Sequence, residues 1–163
     1  MRFGVTMTED ISSQSLPLFP RDMLVSIRPI YADKILSGEK TIELRRRFPE
    51  FDVIGSSVLI YSTSPVQAIV GHARIVDVHR LKIEEIWRKF SGQACIARQD
   101  FVRYFQGVDE GFAIQLGGVG KFDRPLTAVD LREEYGVYPP QSYRYVDDLQ
   151  LELFSVENVQ VSH

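Results

Sequence analysis

The chain has 163 residues, of which 44% are hydrophobic and 25% are charged, with a formal net charge of -3 and one cysteine. This is enough chain for one domain with an apolar core, and the acidic balance excludes a protein that attracts nucleic acid over its whole surface. One cysteine excludes a disulfide framework and a cysteine-based zinc cluster. The sequence has no apolar run of membrane-spanning length and no signal-peptide pattern, which predicts a cytoplasmic protein without membrane contact.

The first segment, residues 1–22, mixes serine, threonine, proline and acidic residues without an apolar period, and we predict an N-terminal arm. From Met23 the run MLVSIRPI predicts a strand, and YADKILSGE predicts a short helix that ends at Gly38. The predicted domain covers residues 23–154, and a C-terminal tail is predicted for residues 155–163.

The stretch SGEKTIELRRRFP, at 37–49, combines the alternation of a strand with a lysine, two glutamates and three arginines. Side chains alternate on an extended chain, so Ile42 and Leu44 are expected to face the core. The opposite face would then carry Thr41, Glu43, Arg45 and Arg47.

Lys40 follows the helix-ending glycine, at a turn from which its ammonium group can reach the same surface. Glu43 between Lys40 and Arg45 would stay ionised, and the three groups would offer donors and an acceptor to a phosphate and a base edge. The alternative is structural, because charges commonly protect an edge strand and cross-strand ion pairs are ordinary. The spacing alone leaves both interpretations open.

Two β-branched runs follow, SSVLIYSTS at 56–64 and QAIVGHARIVDV at 67–78. They predict consecutive antiparallel strands, with Gly71 as a candidate bulge. Tyr61 and Ser62, near the end of the first run, are candidate ligand contacts through base stacking and a hydroxyl group. The alternative for this pair is an ordinary turn with a half-buried tyrosine.

Two helical patterns closed by glycine span 83–92 and 97–107, and their aromatic residues recur at helical spacing. We predict core packing for Trp87, Phe90, Phe101, Tyr104 and Phe105. After them, GFAIQLGGVGKFDRPLT at 111–127 predicts a strand, a glycine-rich hairpin turn and a second extended segment. A helix at 128–136, a proline-fixed crossing segment PPQSYRY and a last strand near QLELF complete the chain.

Several closely spaced strands, interrupted by a few short helices rather than alternating with them, predict an α+β fold. The expected architecture is a small mixed β-barrel with flanking short helices. His72 and His79 have no second ligand pair in the sequence, so neither a metal site nor a cofactor is predicted.

The motif GEKTIELR resembles the Gly-x-Lys-x-x-Glu-x-Arg signature of the ASCH domain family. Its context is similar too, with a preceding helix, a following aliphatic strand and a later W…F…YF-G…G-F-A-I block, so that the resemblance covers residues 23–154. ASCH domains are similar to PUA domains, which implies a PUA-like barrel with a cleft for RNA or a modified nucleobase. The motif residues are Gly38, Lys40, Glu43 and Arg45.

The resemblance implies RNA or modified-nucleotide binding, in a regulatory role, through this charged cleft. The first alternative is a hydrolase, either an N4-acylcytidine amidohydrolase or a ribonuclease, with Lys40 and Glu43 as catalytic residues. Amidohydrolases of the family place a threonine three residues after the lysine, where this chain has Glu43, and Thr41 is too close to Lys40 to replace it. The second alternative is a protein-interaction module, which the acidic net charge leaves open. RNA or a nucleotide is the expected partner, and a protein partner stays open.

Overall fold

The computed structural model describes residues 22–146. Residues 1–21 of the predicted arm, the predicted tail and the predicted strand near residues 150–154 lie outside this range. The elements in chain order are β1 (Met23–Ile27), α1 (Pro29–Leu36), β2 (Ile42–Arg45), β3 (Ser57–Ser62), β4 (Ala68–Lys82), α2 (Ile83–Ala94), α3 (Arg98–Tyr104), β5 (Glu110–Thr127), α4 (Ala128–Tyr135) and β6 (Tyr143–Tyr145). None of the described helices has the length and apolarity needed to cross a bilayer.

The strands form one curled sheet in the order β2-β5-β4-β3-β1-β6. Strands β1 and β3 pair in parallel, and the other neighbouring strands pair antiparallel, including β3 with β4 as predicted. Although β2 and β6 lie at opposite edges, the Phe48 ring just after β2 lies 5.4 Å from the Tyr143 ring of β6. The predicted α+β fold with short flanking helices is therefore confirmed, in the form of a half-barrel.

The curl arises in the long pair β4 and β5, of 15 and 18 residues. Their register shifts at three places, one of which separates Ile69 from Gly71, as the predicted bulge at Gly71 requires. Each bulge increases the local twist of the strands.

The hairpin turn predicted from the glycines of residues 111–127 is wrong, because β5 runs continuously from Glu110 to Thr127. The glycines serve close approach between strands instead. A Cβ at Gly120 would collide with the ring of His72 on β4, and Gly118 adopts a left-handed φ of 56°. A glycine inside a strand often marks a bulge or a close approach of another backbone.

Three apolar clusters hold the sheet and the helices together. The first lies inside the curl and includes Met23, Ile35 and Ile60, and the second lies under α4 around Leu131. The third joins β2 to α2 and α3, where Phe101 and Phe105 are buried and Trp87 packs against them. The predicted core packing of the helical aromatic residues is confirmed for these three and for Phe90, which packs against the same cluster.

The close approach of β4 and β5 makes Gly71 sensitive to substitution. A Cβ at Gly71 would collide with the carbonyl oxygen of Gly120 and would lie 2.6 Å from Leu36 Cδ2. We expect Gly71→Ala to lower the free energy of unfolding by about 1–3 kcal/mol, measured by urea denaturation, because the backbone must shift. Gly92→Ala on α2 is the matched control, since a Cβ there meets nothing within 4 Å.

The control substitution is expected to raise the free energy of unfolding by about 0.5 kcal/mol, because alanine is the better helix former. Equal effects of the two substitutions would contradict the role assigned to Gly71.

Candidate functional site

A cavity of about 300 Å³ opens between the β2 strand, the junction of β1 with α1, and α3. This volume lies at the lower end of the range of small-molecule sites. The side chains that line it include those of Tyr31, Lys40, Glu43, Arg45 and Tyr104. Three of them belong to the charged stretch that the sequence singles out.

The local sequence explains why these charged side chains point into the cavity. Gly38, with a φ of 84°, follows the end of α1, and the Lys40 amide then donates a hydrogen bond to the Lys34 carbonyl oxygen at 2.9 Å. The alternation of β2 buries Ile42 and Leu44, which belong to the cluster shared with α2 and α3. Glu43 and Arg45 line the cavity, as expected for the opposite face of an extended chain.

Lys40 is a buried cation, with only 3% of its surface exposed. Its Nζ donates a hydrogen bond to the carbonyl oxygen of Ala94 at 2.6 Å, at the end of α2, where the helix dipole favours a cation. Nζ also lies 3.9 Å from Glu43 Oε2 and 5.1 Å from the centroid of the Tyr31 ring. Burial lowers the pKa of Lys40, and the nearby Glu43 carboxylate opposes that shift without cancelling it.

Glu43 lies between two cations. Its Oε1 is 3.6 Å from Arg45 Nε, and its Oε2 faces Lys40. Both Glu43 Oε2 and Arg45 Nε are buried and make no hydrogen bond with another described residue. Buried polar atoms are usually paired, so this incomplete network at the cavity indicates a place for a ligand.

Arg45 connects separate parts of the sheet. Its Nη2 donates to the Ser26 carbonyl oxygen of β1 at 2.7 Å, and its Nη1 donates to Ser142 Oγ, just before β6, at 3.3 Å. Ser26 is tied to the same segment, because its Oγ donates to the Pro140 carbonyl oxygen at 2.6 Å. The crossing segment predicted from PPQSYRY therefore helps to position the arginine, through Ser142.

Two tyrosines form aromatic walls of the cavity. Tyr104 Oη donates a hydrogen bond to the Leu44 carbonyl oxygen at 3.1 Å, and burial raises the pKa of both Tyr31 and Tyr104. The prediction of core packing is wrong for Tyr104, which lines the cavity and is 37% exposed. The sequence does contain one signal for this position: Tyr104 carries a hydroxyl group among phenylalanines. A tyrosine often has its ring in an apolar environment and its hydroxyl group in contact with solvent.

A second cavity adjoins the first and shares Arg45 and Tyr104 with it, and Ser142 lines only the second. It adds Arg46 and Arg47. Both arginines are exposed, and Arg46 Nη1 donates to the Tyr104 and Gln106 carbonyl oxygens at 2.9 and 2.8 Å. The lining of the first cavity is also basic, with four cations and two anions: Arg28, Lys40, Arg45, Arg103, Glu43 and Asp100.

The other predicted ligand contacts lie away from this cavity. Thr41 is exposed and precedes β2, and its backbone rather than its side chain is engaged, with Gln93 and Leu116. Tyr61 and Ser62 are 6% and 1% exposed, and Tyr61 packs into the apolar cluster under α4. Among residues 22–146 no group of three histidine, cysteine or acidic side chains is arranged to hold a metal ion.

Comparison with known proteins supports the resemblance found in the motif. The sequence model of the ASCH domain family matches residues 25–146 of this chain. The chain belongs to the ASCH domain family. An "ASCH domain-containing ribonuclease" from Zymomonas mobilis is 28% identical over 127 residues, which are 77% of this chain and 84% of that relative.

Solved structures agree with this assignment. The crystal structure of the ASCH protein from Zymomonas mobilis superposes with a TM-score of 0.79 at 26% identity, covering 83% of this chain and 94% of that one. The N-terminal domain of McrB from Staphylothermus marinus matches with a TM-score of 0.50 at 13% identity and shows the fold alone.

The contacts of Arg45 predict its contribution to the stability of this ASCH domain. We expect Arg45→Met to lower the free energy of unfolding by about 3 kcal/mol, because Glu43 would lose a neighbouring cation in a buried place. Arg47→Met is the matched control, since Arg47 is exposed, and it should change that free energy by less than about 0.5 kcal/mol. Chemical denaturation measures the free energy of unfolding of both variants. A loss for Arg45→Met no larger than the loss for Arg47→Met would show that Arg45 does not support the fold.

Proposed function

We propose that this ASCH domain binds RNA by holding one unpaired nucleotide in the cavity between Tyr31 and Tyr104. The observation that carries this proposal is the pair of buried polar atoms, Glu43 Oε2 and Arg45 Nε, that lack hydrogen-bond partners among the described residues. An acceptor and a donor beside two aromatic walls suit a planar ring with a hydrogen-bonding edge. RNA-binding proteins read unstacked bases in this way, by stacking and by hydrogen bonds to the base edge.

The size of the cavity favours a single nucleotide over a duplex. About 300 Å³ accommodates one base with part of its sugar, whereas a helix of RNA is recognised across a broad surface. The net charge of -3 also disfavours a surface that follows a long run of phosphates.

The second cavity supplies the place for a phosphate next to the bound base. Arg46 is fixed by two backbone carbonyl oxygens, and Arg47 beside it is exposed. Because the two cavities share Arg45 and Tyr104, a nucleotide with its base in the first would bring its phosphate toward these arginines. The planar guanidinium group suits phosphate oxygens.

The ribonuclease name of the Zymomonas relative supports RNA as the ligand class. Deacylation of an N4-acylcytidine has less support, because Thr41 lies outside the cavity and Glu43 occupies the position of the hydroxyl group that this chemistry uses in the family.

The aromatic wall is tested by Tyr104→Ala. We expect this change to weaken binding of a short single-stranded RNA by about 1–3 kcal/mol, the usual contribution of stacking on an aromatic ring. Tyr138→Ala is the control, because Tyr138 is 63% exposed and lines neither cavity. Fluorescence anisotropy gives the affinities, and an unchanged affinity in Tyr104→Ala would contradict the proposal.

The phosphate contact is tested by Arg47→Ala. We expect a weaker affinity for every RNA sequence and a salt dependence whose slope falls by about one, because one fewer counterion is released on binding. Arg88→Ala on α2 is matched in charge and exposure but lines neither cavity, so it should leave the slope unchanged. Identical slopes for wild type and Arg47→Ala would exclude a phosphate contact at Arg47.

RNA cleavage in the same cavity is a second candidate, favoured by Lys40. Because the pKa of this buried lysine is lowered from its ordinary value of 10.5, its neutral amine forms at a lower pH than that of an exposed lysine. The amine lies next to the Glu43 carboxylate. A neutral amine can accept a proton from an attacking hydroxyl group.

Cleavage by this route predicts a pH dependence. If Lys40 is the base, the rate rises with pH until Lys40 is deprotonated, and it levels off below the pH at which an ordinary lysine would. Lys40→Arg should abolish product while RNA affinity stays within a few-fold, because a guanidinium group stays charged at these pH values. Chromatography of the products measures the rate, and cleavage by Lys40→Arg at the wild-type rate would exclude Lys40 as the base.

A further inference from the structure

We infer that the cavity selects a base with a carbonyl, N–H, carbonyl edge, the edge that uracil presents. This inference rests on the proposed binding of an unpaired nucleotide and specifies which base the cavity prefers. It comes from the order of the charged groups along the cavity wall.

The three charged groups form a row of donor, acceptor and donor. Glu43 is central, with Lys40 Nζ 3.9 Å from its Oε2 and Arg45 Nε 3.6 Å from its Oε1. These separations are longer than hydrogen bonds, so the row is not closed on itself. A ligand that donates at the centre and accepts on both sides complements it.

The remaining contacts of the two cations hold the row in place. Lys40 Nζ is anchored on the Ala94 carbonyl oxygen, and the terminal nitrogens of Arg45 are anchored on Ser26 and Ser142. Neither side chain can turn away from Glu43 without breaking these hydrogen bonds. The donors and the acceptor are thus organised before the ligand arrives, which lowers the cost of binding.

The central carboxylate makes phosphate a poor occupant of this row. A phosphate oxygen that approached both cations would also approach Glu43, and two anions repel each other at this distance. A neutral heterocycle with an N–H group at the centre avoids that repulsion and donates to the carboxylate. The phosphate of the same nucleotide has Arg46 and Arg47 in the adjoining cavity.

The bases differ in how well they match the row. Uracil presents O4, the N3–H group and O2 in order, so its donor meets Glu43 and its two acceptors meet Lys40 and Arg45. Cytosine presents an amino group and then two acceptors, which puts a lone pair against the carboxylate. Guanine presents one acceptor followed by two donors, which puts an amino group against a cation. A mismatch leaves a buried polar group unpaired, and this is the main source of discrimination in such sites.

The experiment compares oligouridine, oligocytidine and oligo(3-methyluridine) of equal length, with affinities measured by fluorescence anisotropy. Their phosphate backbones are identical, so any difference reports the base. We expect oligouridine to bind the wild-type protein at least about tenfold more tightly than the other two, since base-edge pairs discriminate by that order. The methyl group removes the N–H donor and leaves both carbonyl groups in place.

Glu43→Gln is the matched variant, because it keeps the shape of the side chain and removes its charge. The amide can either accept from uracil or donate to cytosine, so the preference for oligouridine over oligocytidine should fall to about threefold or less. A melting curve verifies that the variant is folded. Should it unfold, the comparison with 3-methyluridine in the wild-type protein decides the question alone.

Equal affinity of the wild-type protein for oligouridine and oligo(3-methyluridine), or tighter binding of oligocytidine, would overturn this inference. An unchanged preference in folded Glu43→Gln would overturn it too. In these cases RNA binding through the cavity still stands if Tyr104→Ala and Arg47→Ala weaken the affinity for all three oligonucleotides. Failure of all three to bind the wild-type protein would reject the proposed function itself.

Discussion

The contacts of one guanidinium group, that of Arg45, unite the architecture and the candidate site. Arg45 ends the edge strand β2, yet it donates hydrogen bonds to Ser26 on β1 and to Ser142 beside the opposite edge strand β6. A planar guanidinium group carries five donors in a fixed geometry, so it can join three chain segments at once. Because the same side chain forms a wall of the cavity, the contact that draws the half-barrel together also determines the shape of the site.

The electrostatic balance around Glu43 explains how the candidate site can be buried and still contain charged side chains with incomplete hydrogen bonding. Removing charges from water is costly unless they are paired and hydrogen-bonded. Here the pairing is present but loose, at 3.6 and 3.9 Å, and buried atoms of Glu43 and Arg45 remain without hydrogen bonds to described residues. A protein optimised only for stability would close such a network. Leaving it open costs stability, and such a cost is typical of functional sites.

The position of the site in the fold follows from the curl of the sheet. The bulged pair β4 and β5 brings the two edges of the sheet near each other, and the cavity lies where β2 meets the junction of β1 and α1. Helix α3 then covers this place with Tyr104, and the end of α2 supplies the Ala94 carbonyl oxygen for Lys40. The fold thus assembles the site from segments that are far apart in the chain, while the motif itself supplies only the charged row.

The sequence by itself determined the helices, most strands and the charged row of Lys40, Glu43 and Arg45, because hydrophobic period and strand alternation are local properties. The tertiary structure alone decided that the glycines of β5 allow close approach between strands, that Tyr61 and Ser62 are buried and that Tyr104 is a cavity wall. These outcomes depend on which strands pair and how far the sheet curls. Ser26, Ala94 and Ser142 are ordinary residues in sequence, and they matter only because long-range pairing places their oxygen atoms beside the two cations.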